Sequence, residues 1–406
     1  MTNSPIPQNS RFSGSQFVLL AALVIAFGIM GDSLMYSLLP LEAPALGISM
    51  FQVGLLLSAN RIFRLVSNFW ASLAFERWGA KFPFALSAVL GLVSTLLYGG
   101  MWGFWVFLLA RAVWGVAWSG FRQGGYQAVW GASEARKGRL MGVLWGIVRL
   151  GSAFSVLAGG YVYDKYGYLQ ALTLIAMVSA LSIPIALLIP WQAKLPQAGG
   201  KRRSSGMESW SSAFKTPSRR WLLASGFMDT LFEGALVSTA SIFLQQRFSG
   251  QTTLLGIGTL AGILLAVRFV ANIIFAPLLG DLSDRIGQPR MLLALTTGML
   301  AAMAAALTFS GIWALAAMAV VFFCGSGSFA ALNAAASGLA QHTNHPHRFV
   351  GIFTTAIDAG AAAGPLLAFS LVDFSGFGSL YLGSLAVLMI SAVKFYIAQS
   401  NSVEKI

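Results

Sequence analysis

Charged residues are scarce in this 406-residue chain: they make up 10% of the sequence, against about 25% in an ordinary soluble domain. Hydrophobic residues make up 57%, and the mean hydropathy is +0.73. So little charge excludes a soluble globular protein, and so much apolar sequence excludes a disordered one. The single cysteine, Cys324, excludes an internal disulfide and a cysteine-based metal cluster.

Histidine is almost as rare as cysteine. The three histidines, His342, His345 and His347, lie in one short segment without neighbouring cysteines or carboxylates. We therefore expect no metal site there, and the sequence indicates no cofactor. A membrane-embedded enzyme would need a buried histidine, a serine–histidine pair or paired aspartates, so the chain is not expected to be an enzyme.

Long apolar runs occupy most of the chain. A membrane-spanning helix needs about 20 such residues, and twelve runs meet this length. Their approximate limits are residues 17–39, 52–75, 82–101, 103–126, 140–163, 168–190, 221–245, 252–279, 290–310, 312–340, 349–372 and 376–398. The sequence therefore predicts an all-α integral membrane protein with twelve transmembrane helices.

Basic residues outnumber acidic ones by 26 to 13, a surplus that can indicate nucleic-acid binding. However, 18 of the 26 lie in the termini and in alternate loops, and only Lys165 and Arg247 lie in the opposite loops. The positive-inside rule explains this distribution and predicts cytoplasmic termini. Nucleic acid is therefore not an expected partner. We interpret the surroundings as a lipid bilayer, the plasma (inner) membrane of a bacterium.

The two halves of the chain repeat one another. Arg64-x-x-x-Asn68 in the second span matches Arg268-x-x-x-Asn272 in the eighth span, 204 positions later. At an offset of 209, four residues of the first half match four of the second, namely Gly142, Gly151, Asp164 and Gly167 with Gly351, Gly360, Asp373 and Gly376. Such duplicated halves are a common plan of secondary transporters.

The domain boundaries follow from this repeat. We interpret residues 1–190 as an N-terminal six-helix bundle and residues 221–406 as a C-terminal six-helix bundle. The polar segment 191–220, which is rich in lysine and arginine, is interpreted as the cytoplasmic linker loop between them.

Two loops at matching positions carry a related motif. They read Ser72-Leu-Ala-Phe-Glu76-Arg77-Trp-Gly79 and Gly280-Asp-Leu-Ser-Asp284-Arg285-Ile-Gly287. Both resemble the G-x-L-x-D-R-x-G signature of the major facilitator superfamily. The second copy is complete, whereas the first has serine and glutamate in place of glycine and aspartate. Arg111-x-x-x-Gly115 in the fourth span is similar to another element of that family.

The resemblance implies a monomeric transporter in which two pseudosymmetric six-helix bundles rock about a site in the middle of the membrane. It also implies that spans three, six, nine and twelve face lipid, and these spans carry no charged side chain in their interiors. The motif residues are expected to form state-dependent contacts on the cytoplasmic side. This predicted gating set comprises Glu76, Arg77, Gly79, Gly280, Asp284, Arg285 and Gly287.

Two arginines at matching depths are candidates for holding a substrate. Arg64 and Arg268 both lie near the middle of the bilayer, and guanidinium groups match planar oxyanions. The nitrate transporters of the family hold their substrate in a similar way. The other predicted substrate-binding residues are Asn68, Asn272, Trp118 and Arg122. As an alternative, each arginine pairs with a carboxylate within the spans or with carbonyl groups at helix ends.

Carboxylates within the spans are candidates for proton coupling. Asp32 in the first span is the best placed, since a carboxylate in a cavity can bind a proton on one side of the membrane and release it on the other. Its counterpart in the repeat is Asp229 or Glu233, and the resemblance links Arg111 to the same function. A fixed ion pair with an arginine remains the alternative.

Arg149 in the fifth span and Asp358 in the eleventh occupy equivalent positions of the repeat. An ion pair that forms in only one state could act as a gate between the bundles, and contact with the substrate is the alternative.

Six arginines and four carboxylates lie within the spans, so the interior is net positive. The sequence predicts a secondary active transporter that moves an organic or inorganic anion, or a zwitterion, by alternating access with proton coupling. The alternative is a proton-driven exporter of lipophilic drugs or metabolites, which would use aromatic residues such as Tyr36 and Trp145. A channel is not indicated, because nothing resembles a selectivity filter.

Overall fold

A computed structural model of the chain describes residues 14–100, 102–130, 134–191, 214–249, 255–341 and 346–403. All regular secondary structure within these ranges is helical. The helices are α1 (Gly14–Gly28), α2 (Met30–Glu42), α3 (Met50–Trp78), α4 (Lys81–Gly99), α5 (Phe104–Trp130), α6 (Glu134–Tyr166), α7 (Tyr168–Ala180), α8 (Ser182–Leu188), α9 (Pro217–Arg247), α10 (Ile257–Ile286), α11 (Gln288–Thr308), α12 (Ile312–Gln341) and α13 (Pro346–Val403).

Eleven segments of the described chain are long and apolar enough to cross a membrane. The 29-residue α3 is the remaining long helix, and it carries arginines and asparagines along its length. The last two crossing segments both lie in α13, which is interrupted at Gly376, where φ is 70°. The predicted all-α membrane fold with twelve spans is thereby confirmed.

Two of the spans are each built from two helices. The first consists of α1 and α2, which join at Ile29, and the sixth consists of α7 and α8, which join at Leu181. Pro184 explains the second junction, because proline has no N–H group to donate to the carbonyl group of Ala180. The sequence did not predict either junction.

The final glycine of each loop motif lies in the turn between two helices. Gly79 follows α3 with φ of 74°, and Gly287 separates α10 from α11 with φ of 93°. Only glycine adopts such positive φ values at no steric cost. The glycine of the signature is therefore required by the turn itself.

Repeat-related glycines have matching surroundings. A Cβ atom added to Gly151 would lie 2.5 Å from the carbonyl oxygen of Ala26, and one added to Gly360 would lie 2.1 Å from that of Phe227. These two glycines therefore lie where α6 crosses α1 and where α13 crosses α9. A Cβ atom on Gly142 or Gly351 would meet nothing within 4 Å. The repeat found in the sequence thus extends to helix packing.

Contacts divide the chain into two compact units. One comprises Met1–Ala198 with Leu255–Phe269, and the other comprises Gly199–Leu254 with Val270–Ile406. The division falls inside α10, whose first part belongs with the N-terminal residues. Most of the predicted linker, residues 192–213, lies outside the described residues, as do the side chains of the three histidines.

Candidate transport site

An ion pair between Asp32 on α2 and Arg111 on α5 forms the centre of the polar interior of the first unit. The Arg111 side chain is completely buried, whereas the Asp32 side chain is 12% exposed. Removing charges from water is unfavourable unless they are paired and hydrogen-bonded, so each group depends on the other.

Every N–H group of Arg111 is used within the protein. A guanidinium group has five N–H donors, one on Nε and two on each Nη. Nε donates to a backbone carbonyl group, Nη1 to Asp32 and a tyrosine, and Nη2 to a second tyrosine and a second carbonyl group. These other acceptors are Leu56 O at 2.8 Å, Tyr98 Oη at 3.4 Å, Tyr36 Oη at 3.5 Å and Leu57 O at 3.4 Å. Arg111 therefore has no donor left for a substrate, and it serves to hold Asp32.

The two carboxylate oxygens of Asp32 differ in their surroundings. Oδ1 accepts hydrogen bonds from Arg111 and from Nδ2 of Asn60, the latter at 3.3 Å. None of the described residues donates a hydrogen bond to Oδ2. Oδ2 is therefore the oxygen that can take up a proton without losing a bond to the protein.

Further arginines lie near this ion pair. The charges of Arg61, Arg64 and Arg111, together with that of Asp32, all act on the hydroxyl group of Tyr36. Arg61 and Arg64 are half-buried on α3. These guanidinium groups place positive charge near Tyr36 and Arg111, and positive charge favours a negatively charged ligand.

The next polar residue along this face of α3 contacts α5. Asn68 Oδ1 accepts a hydrogen bond from Ser119 Oγ at 2.8 Å, and Ser67 Oγ lies 2.8 Å from the same serine. A Cβ atom on Gly115 would lie 3.0 Å from the carbonyl oxygen of Asn60. Asn68, which we predicted to bind substrate, is thus engaged in packing α3 against α5.

Four aromatic side chains of α5 and α6 form a continuous row. The ring centroids of Trp114 and Trp118 are 5.9 Å apart, those of Trp118 and Trp145 are 6.0 Å apart, and those of Trp145 and Tyr126 are 6.2 Å apart. Trp114 is buried, and the other three are half-buried. Arg122 is half-buried one turn from both Trp118 and Tyr126. Trp114 belongs to the apolar core of the first unit, and Trp118 and Trp145 pack against that core.

In the second unit, a buried carboxyl group occupies a similar place. Asp229 on α9 accepts a hydrogen bond of 2.6 Å from Ser328 on α12. The two residues join the seventh and tenth spans, as Asp32 and Arg111 join the first and fourth. Glu233 is half-buried one turn further along α9. A carboxyl group thus joins the corresponding pair of spans in the second unit, with a hydroxyl group as its partner in place of an arginine.

The predicted gating residues are mostly exposed. Arg285 pairs with Asp281 on its own helix at 2.8 Å, with both side chains more than half exposed, and Asp284 accepts a hydrogen bond of 3.2 Å from Gln288. Glu76 and Arg77 are also exposed, and the surroundings of Gly280 lie outside what the structure describes. Contacts of this set that depend on the state of the transporter remain a prediction.

The other predicted pairs remain predictions as well. Arg149 and Asp358 are half-buried and belong to different units. The guanidinium group of Arg268 lies 5.1 Å from the ring of Phe269, and Asn272 is half-buried on the same helix.

Sequence reasoning missed three residues that hold the charged groups. Tyr98 is completely buried on α4, in a span that we expected to face lipid, and it contacts Arg111. Asn60 and Ser328 hold Asp32 and Asp229 respectively. A hydroxyl or amide group in an otherwise apolar run is a weak signal of such a function, because serine and tyrosine also occur elsewhere in these spans.

Comparison with known proteins agrees with this architecture. The sequence model of the Major Facilitator Superfamily matches residues 21–260 and 222–405. Multidrug resistance protein MdtG of Dickeya zeae is 26% identical over 346 residues, which cover 84% of this chain and 82% of that protein. MdtG of Enterobacter lignolyticus is 26% identical over 373 residues, covering 89% and 87% respectively.

Solved structures show the same fold. A mutant of the nucleoside transporter NupG superposes with a TM-score of 0.78 at 12% identity, covering 94% of this chain and 99% of that one. A bacterial homologue of the human lysosomal transporter Spinster superposes with a TM-score of 0.71 at 16% identity, covering 96% of each chain. These structures show the fold, and the family match, which spans nearly the whole sequence, shows that the chain belongs to the Major Facilitator Superfamily and is a membrane transporter.

Proposed function

We propose that this transporter is proton-coupled and moves an organic anion with an apolar body. The single observation that carries the proposal is the arrangement around Asp32. Its Oδ1 is held by Arg111 and Asn60, its Oδ2 accepts no hydrogen bond from the described residues, and further arginines lie close by. The aromatic row supports an apolar body, and the net positive charge supports a negative group.

The coupling follows from charge. When Asp32 takes up a proton at Oδ2, the negative charge that offsets Arg111 is removed, and the guanidinium groups attract an anion more strongly. By thermodynamic linkage, the anion then strengthens proton binding by the same factor. Proton and anion bind together, so they cross the membrane in the same direction when the two bundles rock.

The pH dependence of binding tests this proposal. The probe is 2-naphthalenesulfonate, which stays anionic at every pH used, and its affinity for the purified protein is measured by calorimetry over the pH range in which the protein stays folded. We expect tighter binding at low pH, by about tenfold for the gain of one effective charge. Asp32→Asn should bind as the protonated protein does and lose the pH dependence.

A matched pair of arginine variants locates the positive charge. Arg64→Gln should weaken sulfonate binding about tenfold, whereas Arg290→Gln, which alters an exposed arginine outside the predicted sites, should leave it unchanged. Equal affinities at all pH values in the parent protein would contradict proton coupling at Asp32. Binding that is insensitive to Arg64→Gln would contradict the placement of the anion.

A second candidate function is the export of lipophilic compounds, whether or not these compounds carry a negative charge. It is supported by the relatives named multidrug resistance proteins and by the aromatic row of α5 and α6. In that case the cation 2-naphthyltrimethylammonium should bind more tightly than the sulfonate, and its affinity should fall at low pH because it competes with the proton at Asp32.

Trp118→Ala tests the aromatic row itself. Because the contact between two stacked aromatic rings contributes roughly 1 kcal/mol, we expect the naphthalene probes to bind about fivefold more weakly to this variant. Phe69→Ala, which alters a highly exposed aromatic residue on α3, serves as the control. An unchanged affinity for both probes in Trp118→Ala would exclude the row as part of the binding site.

We further propose the bacterial inner membrane as the location, cytoplasmic termini, and a monomer as the working form. The distribution of basic residues supports the orientation, and the similarity to MdtG proteins of bacteria supports the location.

A further inference from the structure

Asp164, near the end of α6, makes three hydrogen bonds to the start of α10. Its Oδ1 accepts from the backbone N–H of Gly258 at 2.9 Å. Its Oδ2 accepts from the backbone N–H and the hydroxyl group of Thr259, at 2.6 Å and 2.5 Å. Asp164 and Thr259 are 95 residues apart in the sequence. Asp164, Gly258 and Thr259 all belong to the first compact unit.

These bonds satisfy groups that the helix cannot satisfy itself. The first N–H groups of an α-helix have no acceptor within the helix, and the helix dipole places partial positive charge at this end. A capping residue usually supplies the acceptor from the segment just before the helix. At α10 the acceptor is a carboxylate on another helix.

The matching helix of the first half is capped differently. Ser49 precedes α3, its hydroxyl group accepts from the N–H of Gln52 at 3.3 Å, and the Gln52 side chain accepts from the N–H of Ser49 at 2.9 Å. The start of α3 is therefore held by its own residues. The repeat predicts equivalent positions for α3 and α10, but only α10 depends on another helix for its cap.

Glycines allow α6 and α10 to approach closely beside Asp164. A Cβ atom on Gly160 would lie 2.3 Å from the carbonyl oxygen of Gly258, and one on Gly262 would lie 2.2 Å from that of Val156. A Cβ atom on Gly256 would lie 2.2 Å from Cγ of Asp164. At these points the two helices meet largely through their backbones, with the ring of Tyr163 packed against Gly258.

We propose that Asp164 is a positioning residue of the transport cycle, which holds the start of α10 against the end of α6 in one state and releases it in the other. When the helices part, water replaces the carboxylate as partner of the two N–H groups and of the Thr259 hydroxyl group. The contact is therefore reversible. The inference rests on alternating access, the mechanism of the family, and is independent of the identity of the solute.

Hydrogen–deuterium exchange tests this assignment on the full-length protein in lipid nanodiscs without any solute. In Asp164→Asn, we expect the amides of residues 255–262 to exchange about tenfold faster, because the charge-assisted hydrogen bonds are lost. In an alternating-access cycle, more frequent opening of the contact between Asp164 and α10 means more frequent closing at the opposite end of α6. Residues 139–148 should therefore exchange more slowly than in the parent protein. Asp281→Asn, an exposed carboxylate near the other end of α10, is the control.

Amide exchange at the two ends of α6 distinguishes a switching function of Asp164 from a purely structural one. Faster exchange at both ends would show that Asp164 merely stabilises the fold, and unchanged exchange at residues 255–262 would refute the contact; either result overturns the proposal. If Asp164→Asn yields no folded protein, Thr259→Val removes only the hydroxyl donor. A smaller shift in the same directions is expected for it, and no shift overturns the proposal. Failure of sulfonate binding leaves these outcomes unaffected.

Discussion

Replacing Arg111 with methionine is expected to lower the free energy of unfolding by about 3–5 kcal/mol, because it leaves a carboxylate without its partner inside the protein. The side chain is completely buried, and all five of its N–H groups have acceptors. Its loss also removes the side-chain donor to the carbonyl group of Leu56 and one of the two side-chain donors to that of Leu57. The midpoint of thermal unfolding in detergent should fall by several degrees.

The chain supplies a matched control for this prediction. Arg285 also pairs with an aspartate, but the side chains of that pair are 74% and 67% exposed. Exposed ion pairs contribute about 0–1 kcal/mol, so Arg285→Met should scarcely change the midpoint. The double variant Arg111→Met, Asp32→Asn should recover part of the loss, since it removes the uncompensated charge. Equal midpoints for Arg111→Met and Arg285→Met would show that the buried pair contributes nothing to stability.

Replacing Gly360 with alanine is expected to lower the free energy of unfolding by about 3 kcal/mol, the upper part of the range for overpacking a close contact. The added Cβ atom would lie 2.1 Å from the carbonyl oxygen of Phe227 and 2.5 Å from Oγ1 of Thr230. The nearer of these atoms belongs to the backbone of α9, and the threonine hydroxyl group is itself bonded to Ile357 O at 2.8 Å. Neither can move without disturbing the contact between α9 and α13.

Gly351→Ala on the same helix should have the opposite effect. A Cβ atom there would meet nothing within 4 Å, and alanine is favoured over glycine in a helix by about 0.5–1 kcal/mol. The midpoint of thermal unfolding should therefore stay equal or rise slightly. Gly151→Ala and Gly142→Ala, the equivalent positions of the first half, should repeat this contrast. If all four variants behaved alike, the packing described for Gly151 and Gly360 would be wrong.

Most of the fold was predictable because its signals are local. An apolar run of about 20 residues specifies a membrane-spanning helix by its length alone. The motif glycines Gly79 and Gly287 marked helix ends because the turn requires a positive φ there. The junctions at Ile29 and Leu181 escaped prediction, since each lies within one continuous apolar run. The grouping of the first part of α10 with the N-terminal unit depends on contacts between distant residues.

The candidate site was predictable as a set of residues but not as a set of contacts. Helical spacing placed Arg64 and Asn68, four residues apart, on one face of α3. Which arginine would pair with Asp32 could not be decided, because several lie in the spans and Arg111 is 79 residues away. The choice follows from how α2 packs against α5, and that packing depends on many residues of no evident chemical function.

The cap that Asp164 provides to α10 has a consequence for biogenesis. Asp164 is synthesised 95 residues before Thr259, so its carboxylate is already in place when the first turn of α10 leaves the ribosome. By contrast, α3 carries Ser49 and Gln52 within its own segment and can complete its first turn on arrival. We therefore expect α3 to insert independently of later helices. The first turn of α10, by contrast, becomes stable only after it docks on α6, which is synthesised earlier. The helix that provides the cap is thus synthesised before the helix that requires it.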